Sequence, residues 1–234
     1  VDDLYEGMHH LPPLVDTRTP ALQVGLDLHT ELFAEHRSPY RFDAADLWLE
    51  ARPVPGLPAR AFVSSLENHL LHAALHHAWS HRLTGAAWRT FRDITAIVHQ
   101  QAFSWDRFLE KVRQAGAADP TYWSLRLARA LAGAPVPDWI IEALEPGRDR
   151  GLRPVLARHF CHESVEAEQI CPSARLRRRL WVRAMGPDLA VRRAASPDRR
   201  AWHRLQRSEQ PKEKTVGAPS RPALRLSSWI RFVR

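Results

Sequence analysis

The chain has 234 residues, of which 44% are hydrophobic, enough to bury a core and to exclude a wholly disordered protein. No run of 18 apolar residues exists and no signal-peptide pattern opens the chain, so neither a membrane-spanning helix nor a secretory leader is expected. The net charge of +8 is unevenly spread: residues 148–234 hold 21 Arg and Lys against 8 Asp and Glu, while the first 147 hold 13 against 18. The basic character therefore belongs to the tail and says little about a groove in the body. Cys161 and Cys171 are the two cysteines, which form no disulfide framework and suit a reducing, cytosolic setting.

In chain order, Leu4 to Val15 reads as an extended segment, Asp16 to Pro20 as a turn, and Leu22 to Phe33 as a returning strand. Two runs joined this way predict an antiparallel hairpin, which needs further strands or a helical layer to lie on. Within the second run Asp27 and His29 alternate with Leu26 and Leu28. A period of two places the leucines toward a core and the polar pair toward a groove or water. A carboxylate on a strand edge suits a hard divalent cation, and the plainer alternative is an amphipathic edge facing solvent. Residues 34–63 carry four prolines, a short helical candidate at Asp43–Glu50 and strand character at Ala59–Val63, with Trp48 and Phe62 expected to anchor the stretch on the core.

Ser64 with Glu67 three residues on predicts a capping box that opens a strong helix. Leu66, Leu70, Leu71, Ala74, Leu75 and Ala78 form a wide apolar arc, with His69, His72 and His76 on the other flank and Gly85 at the stop. A helix over Ala86–Gln101 follows, with Trp88, Phe91, Ile94, Thr95 and Val98 as its inward stripe. Ser104 caps the next, with Trp105, Phe108, Leu109 and Val112 inward and Gly116 at its end. Asp119-Pro120 reads as a cap followed by a first-turn proline, with Gly133 closing that helix, and Asp138 starts a short one through Leu144. The short spacers predict a compact helical bundle over residues 64–145. Beyond Pro146-Gly147 the pattern loosens, although Ala174–Met185 retains helical character, and Ala194–Pro222 is expected to be poorly ordered.

Three constellations could carry chemistry. His69, His72, His76, His77 and His81 fall within 13 residues, and spacings of three and four bring imidazoles within reach of one metal ion. The H-E-x-x-H pattern of zinc proteases is absent, and histidines that cap the bundle's flank are the alternative. His159, Cys161, His162 and Cys171 bring mixed ligands together, but their spacing matches no paired C-x-x-C site. Arg175, Arg177, Arg178, Arg179 and Arg183 surround Leu176, Leu180 and Trp181, a mixture that binds phosphate backbones or anionic lipid, or else forms a solvated face.

Several pieces in order resemble a known family: Val24-Gly25-Leu26-Asp27-Leu28-His29, then Ser65-Leu66-Glu67-Asn68-His69-Leu70-Leu71-His72, then Leu75 to His81 and Trp88 to Ile94. Phe103-Ser104-Trp105-Asp106 and Leu131-Ala132-Gly133-Ala134-Pro135 continue the series. The series, over about residues 4–145, is similar to the carboxy-terminal two-thirds of the uncharacterised bacterial nucleotidyltransferases of the polymerase-beta-like superfamily. The resemblance implies transfer of a nucleotidyl group from a nucleoside triphosphate to an acceptor, assisted by two magnesium ions held by three carboxylates. Asp27 matches the third of these. The first two come from an Asp-x-Asp after a glycine turn, and no Asp-x-Asp occurs anywhere in these residues; Asp2 and Asp3 are adjacent and point to opposite faces if extended.

The expectation is thus an α+β, mostly helical protein: a small antiparallel remnant of a nucleotidyltransferase sheet packed with a helical bundle, plus a loosely ordered basic tail. Its parts are residues 1–63 with the third-carboxylate strand, a helical domain at 64–147, and the tail at 148–234. Starting at Val1 without a methionine, it reads as an N-terminally truncated or degenerate member, inactive as this fragment, located in the cytoplasm. Asp27 is its catalytic and magnesium-binding candidate, with His69, His72 and His76 as a second candidate metal set. The alternative function is a non-catalytic helical module that binds nucleic acid or a protein partner through the basic tail.

Overall fold

The computed structural model describes residues 14–16, 24–26, 28–33, 38–56, 61–84, 87–147, 150–165 and 173–186. It opens with β1 (Leu14–Asp16) and β2 (Val24–Leu26), paired antiparallel with Leu14 opposite Leu26 and Asp16 opposite Val24. This is the expected hairpin. A second antiparallel pair, β3 (Arg52–Pro53) and β4 (Phe62–Val63), follows α1 (Ala44–Leu49). The rest of the described chain is mostly helical, so the α+β, mostly helical class holds.

Local chemistry sets most helix ends. Asp43 caps α1 by accepting from the Ala45 amide at 2.8 Å, and Asp46 reaches back to the Asp43 amide at 2.8 Å, a reciprocal box. Helix α2 (Leu66–Leu75) is capped by Ser65, whose hydroxyl accepts from the Asn68 amide. The cap therefore lies one residue beyond the expected Ser64, and the reciprocal half of the Ser64–Glu67 box does not form. Glu67 is instead buried and accepts the Ser104 amide at 3.0 Å, tying α2 to the start of α4 (Trp105–Ala115). Between them lies α3 (Ala87–Val98), and Gly116 ends α4 in the left-handed region, at φ 65°, where glycine escapes the Cβ clash. Gly133 does the same, at φ 66°, for α5 (Ala118–Ala132).

Helix α5 (Ala118–Ala132) begins one residue before the expected Asp119 cap, with no side-chain cap at Ala117, so Asp119 and Pro120 lie in its first turn. It runs through the centre: Tyr122, Trp123, Leu125, Leu127 and Ala128 are buried, and α2, α3, α4, α6 (Asp138–Leu144), α7 (Arg153–Val165) and α8 (Ala174–Met185) all pack on it. Helices α7 and α8 thus dock on the bundle although the sequence pattern loosens there. Their anchors, Leu156, Phe160, Trp181 and Met185, are too sparse to make a long periodic stripe.

Two aromatic expectations fail for the same reason. Trp48 (65% exposed) and Phe62 (45% exposed) meet edge to face, 5.9 Å apart, on the surface of the α1–β4 region instead of in the core. Trp88 is 50% exposed, while Phe91, Ile94 and Ile97 form the buried stripe of α3. Periodicity assigns a face but not its width, and large rings at the margin fall outside.

After α2 the backbone widens into a π-helical turn, His76–Ser80, and then passes through Arg82 (φ 53°) and Leu83 (φ 58°). Two successive non-glycine residues with positive φ cost about 1–2 kcal/mol each and persist only where their surroundings hold them. Here the Leu83 amide donates to the His77 carbonyl at 3.0 Å, and the Ser164 hydroxyl of α7 donates to the Leu83 carbonyl at 3.1 Å. From α8, Trp181 Nε1 donates to the Ala78 carbonyl at 2.7 Å, and its ring lies 5.0 Å from that of Trp79. Replacing Trp181 by Phe leaves a buried carbonyl without its donor, and urea denaturation should show a loss of about 1–3 kcal/mol. Trp139→Phe, at a site 45% exposed, should stay within about 0.5 kcal/mol.

Candidate functional site

Asp27 lies outside the described residues. Its neighbours toward the carboxy terminus lie within them: Leu28 and His29 are exposed, and Leu32 and Phe33 are buried. Leu28, expected to face the core, is 38% exposed, because β2 ends at Leu26 and the strand alternation stops with it. The chain is secured further on, where the Phe33 ring sits 6.2 Å from the ring of His72 on α2. The segment after Asp27 therefore runs over the histidine flank of α2. His29 acts on His72 electrostatically, which brings the polar residue of the hairpin strand and the helix histidines into one neighbourhood.

That flank is a row of rings. His72 and His76 stack at 5.5 Å, and His76 meets His81 edge to face at 4.6 Å. His69 is exposed, while His72 and His76 are half-buried. Burial, with the nearby imidazoles of His69 and His29, pushes the pKa of His72 down to about 4. A neutral imidazole results, and its Nδ1 is buried without a hydrogen-bond partner. His69, His72 and His76 thus share one neighbourhood, yet among the described residues no group of three or more His, Cys, Asp or Glu side chains is placed to hold a metal ion.

His77 belongs to the core and not to the row. It is fully buried, with Nδ1 3.2 Å from Ser124 Oγ, and the Ser124 hydroxyl donates to the Ala74 carbonyl at 2.7 Å. A hydroxyl has one proton, already committed to Ala74, so Nδ1 carries the hydrogen and donates to Ser124. Nε2 is then a bare acceptor, buried and unpartnered, with Phe91 edge-on at 5.1 Å. Burial, followed by the like charges of His81 and His76, pushes its pKa down to about 3. The sequence held the signal for this role: His77 lies seven residues after Leu70 and three after Ala74, on the apolar arc itself.

In the second cluster, His159 Nδ1 and Glu163 Oε1 are 4.0 Å apart along α7. Burial lowers the His159 pKa and outweighs Glu163, which pulls it up. Burial also raises the Cys161 thiol pKa, which holds it in the unreactive thiol form. His162 is half-buried, and Cys171 lies outside the described residues. On α8, Arg175, Arg179 and Arg183 are exposed, Arg177 and Arg178 half-buried, and Trp181 buried.

Among the described residues no helix is long and apolar enough to cross a membrane. The family model described as an uncharacterised nucleotidyltransferase matches residues 6–133. No curated protein and no solved structure matches the chain.

Both buried imidazoles titrate below their ordinary 6.5, so the unfolded chain binds more protons as the medium is acidified. The stability they confer is complete above pH 6.5 and is lost as pH falls toward 4 for His72 and 3 for His77. The urea midpoint should therefore drop between about pH 7 and about pH 5.5, above the range where most carboxylates titrate. His72→Phe should show a smaller drop, and an unchanged wild-type midpoint would contradict the assignment.

Proposed function

We infer the function from one premise: the chain belongs to the uncharacterised nucleotidyltransferase family. The reading is transfer of a nucleotidyl group from a nucleoside triphosphate to an acceptor, with Asp27 as a metal-binding carboxylate. The observation that carries it is the extent of the match, which takes in the hairpin, the α1–β4 region and the bundle through α5. The family assignment thus applies to the whole region in which the segment after Asp27 meets the α2 histidines.

Magnesium, the metal this reaction class implies, would supply Lewis-acid stabilisation of phosphate charge, with Asp27 as its candidate ligand in this chain. The donor set does not fit two such ions: these residues contain no Asp-x-Asp, and Asp27 alone gives one carboxylate. The chain's own contribution is positional. Phe33 secures the segment after Asp27 on His72, and His72, its pKa pushed down to about 4, brings no positive charge to that contact at neutral pH. On this reading the 234 residues alone do not complete a two-ion site.

The test incubates the protein expressed from its natural reading frame with magnesium, labelled nucleoside triphosphates and cell extract as a source of acceptors. Label should pass to an acceptor, and Asp27→Ala should cut the rate by about 100-fold or more, since even outer residues of metal sites cost about 10- to 100-fold. The 234-residue chain by itself should leave the label in the triphosphate. Undiminished transfer by Asp27→Ala would remove Asp27 from the site, and no transfer by the natural protein would end the nucleotidyl-transfer reading.

A further inference from the structure

Helix α8 carries five arginines and no acidic residue in twelve positions. Its rotation about its own axis is fixed from one side. Trp181, Ala184 and Met185 are buried, Trp181 Nε1 donates to the Ala78 carbonyl, and the Tyr40 hydroxyl donates to the Met185 carbonyl at 3.1 Å. With that face pinned, Arg175, Arg179 and Arg183 recur every fourth residue on the outside, and all three are exposed. At 1.5 Å per residue they form a single row with a repeat of about 6 Å. Arg177 and Arg178 flank the row, and the Arg82 guanidinium lies 5.6 Å over the Trp181 ring at the edge of the buried face.

A helix that only maintains solubility intersperses both signs of charge, whereas the residues of α8 itself carry a single sign. Guanidinium groups are planar forks that match phosphate oxygens two at a time. A row of them on a rigidly held helix suits a ligand with phosphates in a line. The main rival is an anionic membrane, which requires an apolar face to sink into the headgroup layer. Here the apolar face of α8 is spent on the bundle, with Leu176 (48% exposed) the one exposed large hydrophobic residue of the helix.

We propose that the Arg175–Arg179–Arg183 face of α8 docks the phosphate backbone of a nucleic acid. The proposal does not depend on nucleotidyl transfer, because binding along α8 needs no reaction and the helix lies beyond the family-matched residues 6–133.

The experiment measures binding of the full chain to a labelled single-stranded RNA by fluorescence anisotropy across a series of salt concentrations. Affinity should fall with rising salt. In the combined variant Arg175→Gln, Arg179→Gln, Arg183→Gln the slope of log K against log salt should shrink by about 2, at about 0.7 for each lost phosphate contact. A charge-matched variant, Arg89→Gln, Arg92→Gln, Arg113→Gln, removes three exposed arginines from α3 and α4 and should keep the wild-type slope. Glutamine is a good helix former, and circular dichroism checks that α8 survives. Should the triple variant unfold, the three single variants should each lower the slope by about 0.7. Three outcomes overturn the proposal: an unchanged slope in the α8 variants, an equal loss in the charge-matched control, or binding of the wild type to phosphatidylserine vesicles but not to RNA.

Discussion

Buried backbone groups must find partners, and the turn from His76 to Thr84 exposes that constraint more than any other part of the chain. A π-helical turn followed by two left-handed residues departs from the α-helical pattern, and carbonyls in and beside it accept side-chain donors from three other helices. Ser124 of α5 reaches the Ala74 carbonyl, Trp181 of α8 reaches Ala78, and Ser164 of α7 reaches Leu83. The partners come from positions 50, 103 and 81 residues away in sequence, so the turn is made by tertiary structure and not by its own propensity.

Histidine appears both inside and outside the same short stretch. His77 continues the apolar arc of α2, seven residues after Leu70 and three after Ala74, and is held in the core by Ser124, while His76 and His81 stay with His72 in the outer row. The inner imidazole is fixed as a neutral donor by a serine whose own proton is committed elsewhere. The outer ones meet the segment beyond Asp27 through Phe33 and His29. A structural histidine and the candidate functional ones are therefore set apart by which face of the helix they occupy, not by residue type.

How much of this was legible in the sequence depends on the range over which each signal acts. Caps and stops are local, so Ser104, Gly116 and Gly133 were readable from a few neighbours, and the error at Ser64 was one residue. The hairpin was readable because turn and strand residues are adjacent. The Trp48–Phe62 pair was misassigned because hydrophobicity gives a preference for burial but not the space available for it. The His77–Ser124 bond was invisible for a different reason. Nothing in either residue's own window says that a serine 47 positions away will face it. For Asp27, the alternation offered only a generic cation-binding carboxylate, and the family resemblance narrowed it to one position of a three-carboxylate set.

The limits of the family signal and the limits of the packed structure do not coincide. The match ends at residue 133, but the Ala78 and Leu83 carbonyls inside it are satisfied by Trp181 and Ser164 outside it. Tyr40, also inside, donates to the Met185 carbonyl at the far end of α8. A segment consisting only of the matched residues would keep the left-handed strain at Arg82 and Leu83 while exchanging two intramolecular hydrogen bonds for bonds to water, at about 0.5–1.5 kcal/mol for each. Small domains are stable by about 5–15 kcal/mol in total, so such a loss is a large share of what holds the histidine turn in place. Helices α7 and α8 are thus structurally continuous with the family-matched region. The same docking that completes its backbone bonding also fixes which way the arginine row of α8 faces.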